Sequence, residues 1–191
     1  MKPSPYRAPW ALCLSMLLWG AVGCNETSTA EATAAQNTLS DEELADGWIL
    51  LIDGDTLFGW KQANNANWKA ADGVIPVSEG EPGLLHTTSQ FANYRLKVDF
   101  RSAKGTNGGV FLRTSPAPED VTGKCYELNI ADADNPFPTG SFVKRKKTEG
   151  HHQSTGWQTY DVTAEGGHFT VKLDGQLVLD YTDPKPIGRG F

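Results

Sequence analysis

The sequence predicts an all-β fold of the sandwich or jelly-roll class, for three reasons. Short apolar runs recur along the chain, separated by turn signals such as Asp53-Gly54, Asp72-Gly73 and Pro82-Gly83. One run, Phe91–Arg101, alternates apolar and polar residues, as a strand with one buried face does. No helical period of a dozen residues follows residue 45. Many short strands separated by Gly, Pro and Asn turns are typical of sandwiches and jelly rolls.

The amino terminus is predicted to be an export signal covering residues 1–23. Lys2 and Arg7 supply a basic start, and the apolar core Ala11–Val22 is too short to span a bilayer comfortably. The end of the segment, Ala21–Cys24, resembles a bacterial lipobox, so Cys24 is the predicted lipidation site. We therefore expect an exported lipoprotein of the bacterial cell envelope, periplasmic or on the cell surface, whose lipid is its only membrane contact. A plain secretory signal cut nearby is the alternative.

Residues 24–46 are predicted to form a flexible tether followed by a short helical lead-in. Asn25–Thr38 is poor in hydrophobic residues and rich in Thr, Ala, Glu and Ser. Ser40 then precedes three acidic residues, which is the pattern of a capped helix start. The remaining residues, 47–191, are enough for one domain.

Charge and cysteine content exclude some classes of partner and chemistry. Removal of residues 1–23 takes away Lys2 and Arg7, so 17 − 2 = 15 basic residues face 23 acidic ones, a net charge of −8. An acidic domain argues against nucleic acid as a partner. The basic run Lys144–Lys147 is predicted to be a solvated loop edge. Cys125, the one cysteine outside the signal and the lipidation site, is predicted to be a packing residue.

The strands of the domain are predicted in order from these apolar and alternating runs. They are Trp48–Ile52, Leu57–Lys61, Asn67–Lys69, Gly73–Val77, Phe91–Arg101, Gly109–Thr114, Cys125–Ile130, Trp157–Val162, His168–Leu173 and Gln176–Asp180. Asp174-Gly175, between the last two, is the strongest hairpin signal in the chain.

The two strands Gly109–Thr114 and Cys125–Ile130 carry the predicted functional face. Alternation places Val110 and Leu112 of the first strand, and Tyr126, Leu128 and Ile130 of the second, on one apolar face. The opposite face carries four side chains that can bind a polar ligand: Phe111, Arg113, Glu127 and Asn129. An ordinary solvated sheet face would show the same pattern, so alternation alone leaves both interpretations open.

Several blocks in collinear order resemble the DUF1080 family. They are Leu50–Trp60, with its L-x-G-W ending, Phe91–Arg101, Asn107–Arg113, Tyr126–Asp132, Thr139–Ser141, Trp157–Tyr160 and Leu173–Asp180. Together they cover residues 47–191. The resemblance implies a concanavalin A-like jelly roll of two antiparallel sheets, with the polar face lining a concave groove. The sequence departs from the family pattern at Asn129, where Gln is usual. Relatives also continue past Phe191 with another apolar strand, so a truncated domain is one alternative.

The resemblance implies a 3-keto-disaccharide hydrolase, that is, a 3-keto-glucoside 1,2-lyase with 3-keto-2-hydroxy-glucal hydratase activity. The ligand would be a saccharide or 3-keto-glycoside. Proton removal from C2 gives an enolate, expulsion of the C1 substituent follows, and water then adds. Glu127 is the candidate base. Arg113 or a divalent metal ion, the one cofactor left open, would stabilise the enolate, and Asp132 would support the site or bind the metal.

Further side chains are candidates for binding the sugar: Asn107, Phe111, Asn129 and His151. His151 and His152 lie in a Gly-flanked loop and, being adjacent, point in different directions, so at most one is expected to serve as an acid or ligand.

Other classes of function remain alternatives. In a non-catalytic glycan-binding module, Trp60, Trp157 and Phe111 would be stacking platforms, although burial in the core is expected for both tryptophans. A two-carboxylate glycosidase using Glu127 and Asp132 ranks last, because the two lie on opposite faces while the strand continues. A structural role in the envelope also stays open.

Overall fold

The computed structural model describes residues 37–120, 122–150, 152 and 154–191. The predicted signal peptide, the lipidation site Cys24, the tether up to residue 36 and the candidate ligand His151 lie outside these residues. The helix that was predicted after Ser40 is present as α1, Asp41–Ala45, with a capping box between Ser40 and Glu43. In the part of the chain that is described, no helix is long and apolar enough to cross a bilayer.

Eight β-strands follow α1 in the described residues. They are β1 (Trp60–Gln62), β2 (Leu85–Thr87), β3 (Tyr94–Phe100), β4 (Asn107–Leu112), β5 (Tyr126–Ala131), β6 (Gln158–Glu165), β7 (His168–Leu173) and β8 (Gln176–Thr182).

Three predicted strands near the amino terminus are absent, and one strand was not predicted. Trp48–Ile52, Asn67–Lys69 and Gly73–Val77 are irregular, and β2 was missed. At the first of these, Ile49 is 63% exposed, and Trp48 packs its ring against the outer face of β3. Within this run Trp48 therefore contacts the sheet through its side chain, and the run forms no strand.

The strands form antiparallel sheets, as predicted. The larger sheet has the order β3-β6-β7-β8, while β4 pairs with β5 and β1 with β2. The hairpin predicted at Asp174-Gly175 joins β7 to β8, and both of its residues have positive φ, 50° and 80°. This is the conformation that a tight hairpin turn of the I′ type requires.

The core lies between the four-stranded sheet and the β4–β5 pair. Leu112 and Leu128 belong to the same buried cluster as Val162 and Val171 of the larger sheet. Aromatic rings join the two layers at the centre, where the ring centroids of Tyr126 and Phe169 are 4.4 Å apart. On β3 the alternation is as predicted, because Arg95 and Lys97 are exposed and Tyr94, Leu96 and Val98 are partly buried. The β-sandwich class is confirmed.

Strand β5 is central to its layer because both of its edges are hydrogen-bonded. One edge pairs with β4, and the other accepts the segment 139–143, with Leu128 opposite Phe142. The Val143 amide donates to the Glu127 carbonyl at 3.0 Å, and the Asn129 amide donates to the Ser141 carbonyl at 2.9 Å. Both faces are also covered, since Tyr126 and Asn129, on opposite faces, are each at most 2% exposed.

The last residues connect the two layers. Gly190 exchanges backbone hydrogen bonds with Phe91, just before β3, at 2.8 and 3.1 Å. Phe191 does the same with Thr114, just after β4, at 3.0 and 3.1 Å.

Candidate functional site

The outer face of the β4–β5 pair brings together most of the predicted site residues. In the antiparallel register Phe111 lies opposite Glu127, Gly109 opposite Asn129, and Asn107 opposite Ala131. Directly opposed residues share a face of the sheet. The predicted grouping of Phe111, Glu127 and Asn129 on one face therefore holds, with Asn107 at its end.

Glu127 is the side chain of this β5 face that keeps access to solvent. Cys125, Asn129 and Ala131 on the same face are 0%, 2% and 2% exposed, whereas Glu127 is half-buried. Its cross-strand neighbours are apolar, since Phe111 lies opposite on β4, and the Leu128–Phe142 pairing places Val143 opposite on the other edge. Burial raises the pKa of the Glu127 carboxyl, and the charge of Lys144 partly opposes this.

Asn129 lies beneath the loop that follows β5. Its Nδ2 donates to the Phe137 carbonyl, while its Oδ1 is buried and has no hydrogen-bond partner. A buried amide oxygen without a donor is uncommon in folded proteins. It can accept a hydrogen bond from a water or from a ligand hydroxyl. Asn129 therefore shares the face of Glu127, as predicted, but its side chain is buried beneath the loop, and its role in binding stays a prediction.

The predicted position of Arg113 is wrong. The strand ends at Leu112, and Arg113 has a φ of +50°, so its side chain leaves the alternation of β4. The guanidinium is 1% exposed and lies 5.0 Å from the centre of the Phe169 ring, inside the sandwich. Its Nε donates to the Ala92 carbonyl at 2.8 Å, and its Nη1 to the carbonyls of Gly166 and Ile187 at 2.5 and 2.8 Å. Arg113 therefore does not converge with Glu127.

Asp132 and Asn107 lie at the far end of the strand pair. Asp132 is the first residue after β5, and both of its carboxylate oxygens accept the Gly105 amide, at 3.1 and 3.0 Å. The Asn107 Oδ1 accepts Nδ2 of Asn135 at 3.3 Å. These contacts tie together the loops that begin β4 and end β5. Asp132 is thus at the rim of the face, and it carries a structural contact there.

The remaining candidates lie elsewhere. His152 places Nε2 2.6 Å from the Glu149 carbonyl oxygen, within its own loop. Trp60 is partly buried and donates Nε1 to the Leu51 carbonyl at 2.6 Å. Burial was expected for Trp157 as well, but it is 53% exposed. Its neighbour Gln158 lies on the inner face of the sheet instead, opposite Phe100 of β3.

Two further kinds of chemistry, metal binding and a reactive thiol, depend on the arrangement of the described residues. Among these, no group of three His, Cys, Asp or Glu side chains is placed to hold a metal ion, and we assign no step to one. Cys125 is 0% exposed, and burial, together with the charge of Glu127, raises the pKa of its thiol to about 11. Its predicted packing role is confirmed.

The turn at Val143 and Lys144 was not predicted from the sequence. The predicted solvated basic edge is found at Lys144, Lys146 and Lys147, which are exposed, whereas the Arg145 side chain is largely buried against Asp183. The Lys144 backbone directly follows Val143, whose amide bonds to the Glu127 carbonyl. The apolar pair Phe142-Val143, directly before the basic run, is a weak signal that this segment pairs with a strand.

Comparison with known proteins identifies the family. Residues 47–190 match the model of the 3-keto-alpha-glucoside-1,2-lyase-like domain. The chain belongs to this family. A 3-keto-disaccharide hydrolase of Bacteroides thetaiotaomicron is 32% identical over 97 residues, which are 44% of this chain and 32% of that protein. The match thus spans about a third of the relative's length. The family resemblance of the sequence is confirmed, and the lyase-like domain is the sandwich described above.

Solved structures share the fold of this lyase-like domain. A candidate glycosyl hydrolase from Parabacteroides distasonis superposes with a TM-score of 0.66 at 21% identity, covering 79% of each chain. The carbohydrate-binding module CBM66 from Bacillus subtilis superposes with a TM-score of 0.53 at 17% identity, covering 69% of this chain and 83% of that one. At these identities the likeness concerns the fold alone.

Proposed function

We propose that the protein cleaves 3-keto-glycosides by removing the C2 proton, eliminating the C1 substituent and hydrating the product, with Glu127 as the base. Family membership supports the substrate class. The observation that carries the assignment is the position of Glu127: an accessible carboxylate between Phe111 and Val143, on a face otherwise buried along β5.

The chemistry follows from this environment. A carbonyl at C3 acidifies the C2–H bond, and a carboxylate whose pKa is raised by burial is a stronger base for that proton. Glu127 takes the proton, and the electron pair forms the enolate and then the C1–C2 double bond as the C1–O bond breaks. The departing oxygen gains a proton. Water then adds, with its OH on C1 and its hydrogen on C2.

Two neighbours are suited to binding the sugar. Phe111, directly opposite Glu127, offers an apolar surface for the ring. Asn129, two residues along the same strand face, lies beneath the loop that carries Phe137, and displacement of that loop would present its unpartnered Oδ1 as an acceptor for a sugar hydroxyl.

The substrate class is tested by incubating the full-length protein with a 3-keto-disaccharide and with its unoxidised parent. Release of the leaving sugar from the keto form alone supports the proposal. Cleavage of both compounds would instead indicate a glycosidase, and binding of either without cleavage a binding module.

The base is tested by Glu127→Gln, with Glu165→Gln as the matched control. Glu165 is an exposed glutamate at the end of β6, in the other sheet. Glu127→Gln removes the proton acceptor and is expected to lower the cleavage rate by about a hundredfold or more, while the control keeps the wild-type rate. Wild-type turnover in Glu127→Gln would refute its role as the base.

A second candidate function, non-catalytic glycan binding, is favoured by the exposed outer face of the four-stranded sheet. Trp157 lies 5.2 Å from the Arg101 guanidinium at one end of β3. At the other end, Trp48 contacts Arg95 and Lys97, each 5.1 Å from its ring centre. Tryptophan rings beside polar groups are suited to stacking on sugars.

This second function predicts that Trp157→Ala weakens binding of an unoxidised oligosaccharide by about tenfold, which corresponds to about 1.4 kcal/mol. Phe58→Ala removes another exposed aromatic side chain, 90% accessible, and serves as the control. Calorimetry on the full-length protein measures both. Equal affinities for wild type and Trp157→Ala would exclude this platform.

A further inference from the structure

We propose that Lys144 is the cationic catalytic residue of this site and binds the C3 oxygen of a 3-keto sugar as the enolate forms. The inference rests on the proposed function and assigns to Lys144 the role that sequence analysis had given to Arg113 or a metal.

The first support is the turn that carries Lys144. Phe142 and Lys146 exchange backbone hydrogen bonds at 2.9 and 3.0 Å, which closes a tight hairpin over the three residues between them. Val143, the first of the three, donates its amide to the Glu127 carbonyl at 3.0 Å. The turn is therefore fixed to the strand at Glu127 itself, and Lys144 is the next residue along the chain.

The second support is the way in which the turn is anchored. Arg145 directs its side chain inward, where its Nη1 lies 2.9 Å from Oδ2 of Asp183, and both side chains are at most 10% exposed. The guanidinium also stacks 4.3 Å from the centre of the Tyr126 ring and donates to the Cys125 carbonyl at 3.1 Å. This buried anchor holds the turn against β5. It also commits the Arg145 charge, so Arg145 is not available to a substrate.

Lys144 differs from Arg145 in both its burial and its ion pairing. It is exposed and has a φ of +58°, and within the described chain no carboxylate lies within 4 Å of its ammonium group. Its charge nevertheless acts on Glu127, because it lowers the pKa of that carboxyl against the effect of burial, and it also contributes to the lowered pKa of Asp120. Lys144 is thus close enough to interact electrostatically with the base, but it is not paired with it.

That arrangement suits an enolate. When Glu127 takes the C2 proton it becomes neutral, and the negative charge appears on the C3 oxygen of the substrate. The Lys144 ammonium group already interacts with the carboxylate and has three N–H donors on a flexible side chain. It can therefore move to donate to the C3 oxygen when the negative charge forms there. A donor positioned where charge develops stabilises the transition state more than the ground state.

The experiment compares Lys144→Met with Lys146→Met, an exposed lysine of the same turn, on cleavage of the 3-keto-disaccharide by the full-length protein. Lys144→Met is expected to lower kcat by about a hundredfold, the usual effect of removing one oxyanion donor. Lys146→Met should stay within about twofold of wild type, and Lys144→Arg should restore part of the rate because it keeps the charge. Hydrogen–deuterium exchange at C2 of a 3-keto sugar should fall in parallel with kcat, since enolate formation is the step affected.

The outcomes separate this inference from the proposed function. If the wild type is active and Lys144→Met has normal kcat and normal C2 exchange, the role of Lys144 is overturned and the proposed function stands. Equal losses in Lys144→Met and Lys146→Met would show a general charge effect and also overturn it. A wild type that neither cleaves the keto sugar nor exchanges its C2 hydrogen would overturn both. Matching circular dichroism and Tm for the two variants establish that the fold is retained.

Discussion

Arg113 illustrates how one backbone angle changes what a side chain does. Its φ of +50° directs the guanidinium into the sandwich, where three backbone carbonyls and the Phe169 ring receive it. The acceptors come from residues before β3, after β6 and near the carboxyl end. Arg113 therefore connects segments that are distant in sequence, and its charge contributes to stability.

We predict that Arg113→Met lowers the free energy of unfolding by about 3 kcal/mol, because it leaves buried carbonyls without donors. Arg113→Lys should also destabilise, since an ammonium group cannot reproduce the guanidinium fork. Urea unfolding measures the loss, and turnover per folded molecule should be unchanged. Normal stability combined with lost turnover would return Arg113 to the list of catalytic residues.

The raised pKa of Glu127 gives a second prediction at this scale. Burial favours the protonated carboxyl, so the contribution of Glu127 to stability is fully present below its unfolded pKa of about 4.5 and is lost as pH rises through the folded pKa. Glu127→Gln, which cannot ionise, should therefore be more stable than wild type at pH 7. The difference should vanish at pH 3.5. Thermal unfolding at the two pH values tests this, and a destabilised variant at pH 7 would contradict it.

At the scale of elements, the β4–β5 pairing depends on close backbone contact at Gly109. A Cβ on this residue would lie 2.6 Å from the Leu128 carbonyl oxygen, whereas a Cβ on Gly108 would meet nothing within 4 Å. Gly109→Ala should therefore destabilise the protein by about 1–3 kcal/mol, and Gly108→Ala by much less. Chemical denaturation of both variants measures the contrast. Similar losses in the two would show that the register is wrong.

Sequence pattern predicted the elements that depend on their own residues. The alternation of Tyr94–Phe100 and the Asp174-Gly175 turn each encode their structure locally, and both predictions are confirmed. Alternation also placed Phe111 and Glu127 on one face. It failed at Arg113 because periodicity cannot show where a strand ends, and the change of φ comes one residue after Leu112.

Features that depend on distant partners could not be predicted in this way. The segment 139–143 pairs with β5, but nothing in its own residues specifies that partner, so the position of Lys144 was missed. Trp157 was expected to be buried because it is large and aromatic. The register of β6 against β3 gives the inner position to Gln158 instead, whose amide is satisfied by His152 and Asp174.

At the scale of the whole molecule, the final residues join the two layers, and Gly190 packs closely against the backbone of Arg113. A Cβ there would lie 2.3 Å from the carbonyl carbon of Arg113, whereas a Cβ on Gly188 would meet nothing within 4 Å. Gly190→Ala should lower the free energy of unfolding by about 1–3 kcal/mol, while Gly188→Ala should be nearly neutral. Thermal and urea unfolding compare the two. A neutral Gly190→Ala would mean that this connection contributes little.

We also propose that the chain is exported and anchored through lipid on Cys24. Cys24→Ser is then expected to abolish labelling by a fatty-acid analogue and to move the protein from the membrane to the soluble fraction. Fractionation with immunodetection checks both. Continued membrane association of the variant would exclude the lipid anchor.

The protection of β5 on both edges and both faces has a consequence for partial unfolding. Amides in such a strand open only when the whole sandwich opens, so they exchange with solvent at rates set by global stability. Glu127 is carried by this segment, while α1 and the irregular stretch before β2 can fray independently of it. The proposed base would then keep its geometry through every local fluctuation. In rising denaturant, activity would be lost at the same concentration at which the whole sandwich unfolds.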